Sequence, residues 1–298
     1  MSLKKNILIW ANCQGGSIHL MINKYYSHLF TVDYLLNYEF IRNNLPVPDQ
    51  IKNADIFLYQ NYSETETEYD LKNIINNYLK KDCISISFPT LHSCPLLFCH
   101  EYNEPNNHKT INSKYPHGKF FYGINIITDL LNKYDYKNNN KENNKIMIDE
   151  IYKTSQSFDF ISNEKIEYYS KRNFEFLEKK ILSSDVPELF YFIKNNFMKV
   201  RLWHNPNHPT GILLNELVML IFKKLNLIYQ EEDKMENIKV LNMQLKDWEM
   251  PIFPSVKKYY HMDFDDKCSS SWHSDIVDSK TYITKYLNEL YLNEDEVL

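Results

Sequence analysis

The chain has 298 residues, 43% hydrophobic, 15% aromatic and 24% charged, with a formal net charge of −5. It can bury a sizeable core in one large or two modest domains, and its acidic balance argues against a protein built to neutralise nucleic-acid phosphates. Only five residues are glycine, about a quarter of the usual share of ~7%, and this excludes the glycine-rich phosphate loops.

Gly118 and Gly123 come nearest to such a loop, but Ile124-Asn125 follows them where Lys-Ser/Thr is required. There is no G-x-S-x-G elbow and no H-E-x-x-H zinc helix, and the acidic run Asp263-Phe264-Asp265-Asp266 lacks the glycine and closing glutamate of a calcium loop. No apolar run reaches the ~18 residues of a membrane span. Five cysteines, without a C-x-x-C pair, suit reduced thiols and a cytoplasmic setting.

Along the chain, Asn6 to Trp10 reads as a buried strand, too short for a signal-peptide core, and Ser17 to Phe30 as a helix with Ile18, Met21, Ile22 and Tyr25 near helical spacing. Phe30 to Leu36, Ala54 to Tyr59 and Cys83 to Phe88 read as further strands, with a helix over Asp70 to Lys80. This alternation predicts an α/β fold, a parallel sheet flanked by helices. Pro89 to Tyr122 reads as an irregular stretch of the kind that lids a site, with Gly118 and Gly123 as its hinges. The tract Lys137 to Asn144 reads as an exposed polar loop and divides an α/β core (1–136) from a mainly helical part (137–298) that completes the same site in one integrated domain. Helices are expected over Ile146 to Tyr152, Ile161 to Ile181, Val186 to Met198 (Asp185 as N-cap), Gly211 to Leu225 and Tyr282 to Tyr291. Tyr168-Tyr169 and Phe174 to Phe176 are expected in the core or at an interface, and the cysteines other than Cys13 in the core.

Polar residues gather at two places without a folding reason. The first is Asn12-Cys13-Gln14-Gly15-Gly16, at the carboxyl end of the first strand, where ligands bind in open α/β sheets. Free N–H groups of the following helix would lower the Cys13 pKa and hold an oxyanion, and the two glycines would let a ligand close in. A small buried cysteine beside a tight turn is the competing reading. The second is His204-Asn205-Pro206-Asn207-His208-Pro209-Thr210, where the prolines oppose a helix and so a two-histidine metal face. One histidine held there would serve as general base; solvated surface is the alternative. Asn61 follows a strand as a second strand-end polar group, and Arg201 lies close by as a candidate phosphate ligand.

The Asn12-Cys13-Gln14-Gly15 segment, the Ser87-Phe88-Pro89 stretch and the Asn207-His208-Pro209-Thr210 turn, in that order, resemble the WcbI family of polysaccharide-biosynthesis proteins. The resemblance implies an SGNH-hydrolase-like α/β fold, a coenzyme A site and acetyl transfer to a sugar of a bacterial capsular or surface polysaccharide, with a place at the periphery of a polysaccharide assembly complex. It places Cys13 at the nucleophile position and His208 at the late catalytic histidine; Asn12, Gln14, Gly15, Gly16, Asn61, Arg201, His204 and Asn207 are the expected contacts of acyl donor and acceptor, and two mechanisms fit, an acyl-Cys13 intermediate or direct transfer in which His208 deprotonates the sugar hydroxyl while Cys13 and Gln14 only position the thioester. From the residues themselves no metal site is expected. Two departures stand out: Ala11 replaces a glycine, and Asn205 stands where an acid would precede His208. An esterase or deacetylase using water, and a non-catalytic glycan-binding protein, are the alternatives.

Overall fold

The run Ile7-Leu8-Ile9-Trp10 has no polar face, as suits a strand covered on both sides. In the computed structural model it forms the centre of β1 (Lys5–Ala11), with all four side chains buried. The structure describes residues 4–62, 69–92, 94–102, 104–113, 118–120, 122–134, 141–245, 249–262, 264 and 278–292. Trp248, Cys268, Trp272 and, in the acidic run, Asp263, Asp265 and Asp266 lie outside the described residues.

After β1 come α1 (Gly15–Tyr26), β2 (Phe30–Leu36), α2 (Asn37–Asn43), α3 (Asp49–Asn53), β3 (Ile56–Gln60), α4 (Leu71–Asn77) and β4 (Ile84–Phe88). The strands form one parallel sheet in the order β2-β1-β3-β4, with Trp10 opposite Leu35 on one side and Tyr59 on the other. The α/β architecture expected from the alternation is therefore present. The chain leaves β1 for one neighbour and returns on the other side as β3. Loops diverge at the carboxyl ends of these two strands, which is where open α/β sheets bind ligands.

Interactions among residues divide the chain into two compact units: residues 1–92, 175–197 and 207–246, and residues 93–174, 198–206 and 247–298. In the first unit Trp10 stacks on Tyr69 with centroids 5.6 Å apart, and Ile18, Met21 and Ile22 bury the inner face of α1. This unit also holds α8 (Glu188–Asn196), α9 (Gly211–Lys224) and α10 (Lys234–Gln244). The broad apolar face expected of α9 is buried, including Leu213, Leu214, Leu217, Val218 and Ile221. Asp185 is not the N-cap of α8. Its carboxylate accepts from Ser87 N at 2.7 Å and Ser87 Oγ at 2.8 Å, so the tertiary partner outcompetes the local cap and fastens the approach to α8 onto the end of β4.

In the second unit β5 (His100–Tyr102) pairs antiparallel with β6 (Tyr122–Ile124), and a short 3-10 helix spans Pro105–Thr110. The stretch read as irregular is thus ordered at both ends. Tyr286 and Tyr291 donate to the buried Glu104 carboxylate at 2.7 and 2.9 Å, and Gly123 packs against Glu104, in the place of an expected hinge. The unit continues through α5 (Asn125–Leu131), α6 (Lys141–Ser155), α7 (Asn163–Leu182, residues 163–174 in this unit), β7 (Trp203–Asn205), α11 (Pro254–Tyr260) and α12 (Ser279–Leu287), which Asn288–Leu292 extends as a π-helix. The polar tract expected as loop is helical from Lys141 onward, where α6 gathers its own i,i+4 turns; residues 137–140 lie outside the described residues. Tyr168, Tyr169 and Phe176 are exposed rather than core residues. Cys94 and Cys99 are buried as expected, whereas Cys83 is half-buried, and all the described cysteines are free thiols. Among the described residues no helix is long and apolar enough to cross a membrane.

Candidate functional site

Beyond Ala11 the chain must turn from strand to helix within three residues. The Asn12 side chain accepts from Gln14 N at 2.9 Å, closing an Asx-type turn, and Gly15 N, Gly16 N and Ser17 N donate to the carbonyls of Asn12, Cys13 and Gln14. The helix N–H groups expected to be open are therefore used within the turn, a correction to the oxyanion site read from sequence. The two glycines also differ. A Cβ on Gly15 would stand 2.6 Å from that of Ala11 and 2.9 Å from the Tyr34 ring, so Gly15 lets α1 press onto β1 and β2; at Gly16 the same atom would meet only an ordinary contact at 3.6 Å.

Gln14 is buried, and its carboxamide is fully used. Nε2 donates to Asn207 O at 2.8 Å and Leu91 O at 3.2 Å, while Oε1 accepts from Leu91 N at 3.0 Å and Gln60 Nε2 at 3.1 Å. It clamps three loops and has no bond left for a ligand. Gln60, the last residue of β3, turns its own Oε1 to Asn12 N at 2.7 Å, bridging the carboxyl ends of β1 and β3 at the switch point. Tyr34 OH donates to Asn12 O at 2.7 Å, and burial raises its pKa, so it stays a donor. After these bonds Asn12 Nδ2 has no partner among the described residues, directly beside Cys13.

The second motif reaches this turn through Asn207, whose carbonyl Gln14 holds. Thr210 caps α9 with its backbone, and Gly211 N donates to Asn242 Oδ1 at 2.9 Å where α9 meets α10. Anchored on both sides, β8 (His208–Pro209) presents His208 Nε2 3.8 Å from Cys13 Sγ, across 195 residues of sequence. A thiol and an imidazole at this separation can exchange a proton after a small side-chain adjustment, the arrangement of a base-activated nucleophile.

The other expected site residues are engaged elsewhere. Asn61 Nδ2 donates to Ser183 O at 3.1 Å, and its backbone N–H donates to Phe88 O. Arg201 and His204 belong to the second unit: the Arg201 guanidinium lies 3.0 Å from Glu249 Oε1 and donates to Met250 O, and His204, fully buried, has Nδ1 3.7 Å from the same Glu249 oxygen. His204 is neither the solvated residue of one reading nor the partner of Cys13. Among the described residues no group of three or more His, Cys, Asp or Glu side chains is placed to hold a metal ion. Gln60, Tyr34 and the backbone of Leu91 were absent from the sequence reading. Only Gln60 left a trace in it, as a lone amide closing the apolar run Ile56-Phe57-Leu58-Tyr59.

No protein-family model matches the sequence, and no curated protein matches it. The fold is similar to a solved structure described as WcbI, a novel polysaccharide biosynthesis enzyme, in its native form without a disulfide bond between coenzyme A and one of its cysteines. The two share 17% identity over 98% of this chain and 96% of that one, with a TM-score of 0.56, which establishes likeness of fold.

Proposed function

We propose that the protein is an acyl-CoA-dependent O-acetyltransferase acting on a sugar of a surface polysaccharide. The observation that carries the reading is the 3.8 Å approach of Cys13 Sγ to His208 Nε2 at the carboxyl end of the sheet. Support for the donor comes from the solved structure of similar fold, whose description links coenzyme A with a cysteine and polysaccharide biosynthesis.

A thiol beside an imidazole suits a thioester donor, because thioester-to-thioester exchange is nearly balanced in energy. His208 Nε2 takes the Cys13 proton. Cys13 Sγ attacks the thioester carbonyl, a new C–S bond forms, the bond to the CoA sulfur breaks, and His208 returns the proton to that sulfur. His208 then takes the proton of a sugar hydroxyl, whose oxygen attacks the acyl-Cys13 carbonyl. The Cys13–acyl bond breaks, and His208 reprotonates the thiolate. Asn12 Nδ2, held in place through its Oδ1, is the side-chain donor nearest the developing oxyanion in sequence, whereas Asn61 Nδ2 is held by Ser183 O. Gln14, Gln60 and Tyr34 are positioning residues that hold the turn.

The direct test follows release of free CoA thiol from acetyl-CoA. Release that rises at least tenfold when a polysaccharide or oligosaccharide acceptor is added supports transfer. Rapid hydrolysis of a simple aryl acetate with no response to acetyl-CoA would move the assignment to an esterase.

A further inference from the structure

Helix α1 buries Ile18, Met21 and Ile22, while Gly16, His19 and Asn23, three and four residues apart, share a half-buried face on its other side. A Cβ on Gly16 would meet nothing closer than Tyr34 Cε1 at 3.6 Å, so the missing side chain leaves a notch in this face. The notch lies beside the proposed nucleophile. Gly16 N donates to Cys13 O at 3.3 Å, and the Tyr34 hydroxyl, on the notch's wall, donates to Asn12 O. Burial first, and then the neighbouring Cys13, raise the Tyr34 pKa.

His19 bounds the notch one turn further on, its ring centroid 6.1 Å from that of Tyr34. Its Nε2 lies 3.0 Å from Asn23 Nδ2. An amide nitrogen only donates, so Nε2 accepts and the imidazole proton is on Nδ1, which has no hydrogen-bond partner among the described residues. The two ring nitrogens face roughly opposite ways. Asn23 lies one turn after His19, so this bond turns Nδ1 back toward Gly16, one turn before it. The fold therefore aims a donor along the notch toward Cys13 and makes no use of it. None of Gly16, His19, Asn23 and Tyr34 brings a carboxylate or ammonium, so the notch suits a neutral, hydroxyl-bearing ligand rather than an ionic one.

We infer that Gly16, Tyr34 and His19 form the subsite for the acceptor sugar, one hydroxyl of the ring reaching Cys13 while a second oxygen of the same ring accepts from His19 Nδ1–H. The inference rests on the proposed acyl transfer for what happens at the reacting hydroxyl. Six residues of helical rise separate Cys13 from His19, ~9 Å along the axis, a span that one sugar ring bridges. Gly16 leaves room for the ring, and the aromatic surface of Tyr34 packs against its C–H groups. Asn23 is a positioning residue that acts through His19.

The test reads the two half-reactions separately by intact-protein mass spectrometry: acetylation of Cys13 by acetyl-CoA, and its discharge by methyl glucoside, galactoside and mannoside. Ligand-observed NMR follows binding of the same glycosides to the unacetylated protein. The variants are Gly16→Ala, His19→Leu and His19→Asn, whose amide nitrogen takes the place of Nδ1, with melting temperatures as a folding control. Discharge is expected to slow roughly 5- to 10-fold in His19→Leu, the loss of one neutral hydrogen bond, to slow in Gly16→Ala, and to recover in His19→Asn. Folded His19→Leu and Gly16→Ala proteins that discharge like the wild type overturn the subsite and leave the acyl transfer standing. Slowed acetylation with unaltered discharge gives the notch to the acyl donor and overturns it too. Glycoside binding that is lost in His19→Leu, on a wild type that takes no acetyl group, supports the subsite and overturns the acyl-Cys13 reading. A wild type that neither binds nor is discharged by any of the glycosides overturns the subsite, whatever acetyl-CoA does.

Discussion

His204 and His208 stand four residues apart in one proline-rich segment, yet they belong to two different chemical settings. His208 sits on a short strand of the first unit, pinned at Asn207 by Gln14 and at Gly211 by Asn242, with its Nε2 toward Cys13 Sγ. His204 sits in β7 of the second unit, fully buried, with Nδ1 near a Glu249 carboxylate that already pairs with Arg201. The carboxylate that local spacing leaves out before His208 is found near the other histidine. A histidine acquires its role from what the fold brings to it from far along the chain, and the residues on either side decide only how rigidly it is held.

The sharpest way to break this contrast is to remove one partner from each region. His208→Ala should lower acyl transfer by ~100- to 10,000-fold, the usual loss when a general base is deleted, with the melting temperature nearly unchanged. Glu249→Ala should do the reverse. It leaves a mostly buried Arg201 guanidinium uncompensated and should cost about 3–5 kcal/mol of stability in denaturant unfolding, while the variant that remains folded keeps its pH–rate profile. A Glu249→Ala protein of wild-type stability, or a His208→Ala protein of wild-type rate, would dissolve the distinction.

A smaller effect concerns the acid stability of the second unit. His100 of the second unit is buried, donates from Nε2 to Pro251 O at 3.1 Å, and burial holds its pKa down to about 4. Unfolded, it titrates near 6.5. The unfolded chain therefore binds the extra proton between those values, so the contribution is complete above pH ~6.5 and is lost as pH falls toward 4, by up to about 3 kcal/mol. Unfolding midpoints measured from pH 7 to 4 should fall, and His100→Gln should flatten the fall. An unaltered slope in that variant would place the acid sensitivity elsewhere.

The sheet was legible because strands buried on both faces leave near-continuous apolar runs, as at Ile7 to Trp10, and β2 spans the same Phe30–Leu36 expected of it. The two motifs were legible as polar clusters with no folding purpose. Their meeting was not readable from spacing, since it depends on Gln14 reaching Asn207 across 193 residues, and it entered only through resemblance. Gln14 itself was misjudged for the same reason: a buried amide with four internal bonds looks in sequence like an amide offered to a ligand. Gly15 was misjudged because a glycine that lets a helix touch a strand is indistinguishable in sequence from one that admits a substrate. Asp185 has the spacing of a helix cap, and only the folded position of Ser87 shows why it does not act as one.

The account stands on Cys13 as a nucleophile served by His208. Intact-protein mass spectrometry after brief exposure to acetyl-CoA, without acceptor, tests it most directly. The account predicts a single added acetyl group located to Cys13 by peptide mapping, absent in Cys13→Ala, strongly slowed in His208→Ala, and discharged when the sugar acceptor is supplied. Full transferase activity in Cys13→Ala, with no adduct on the wild type, would contradict it.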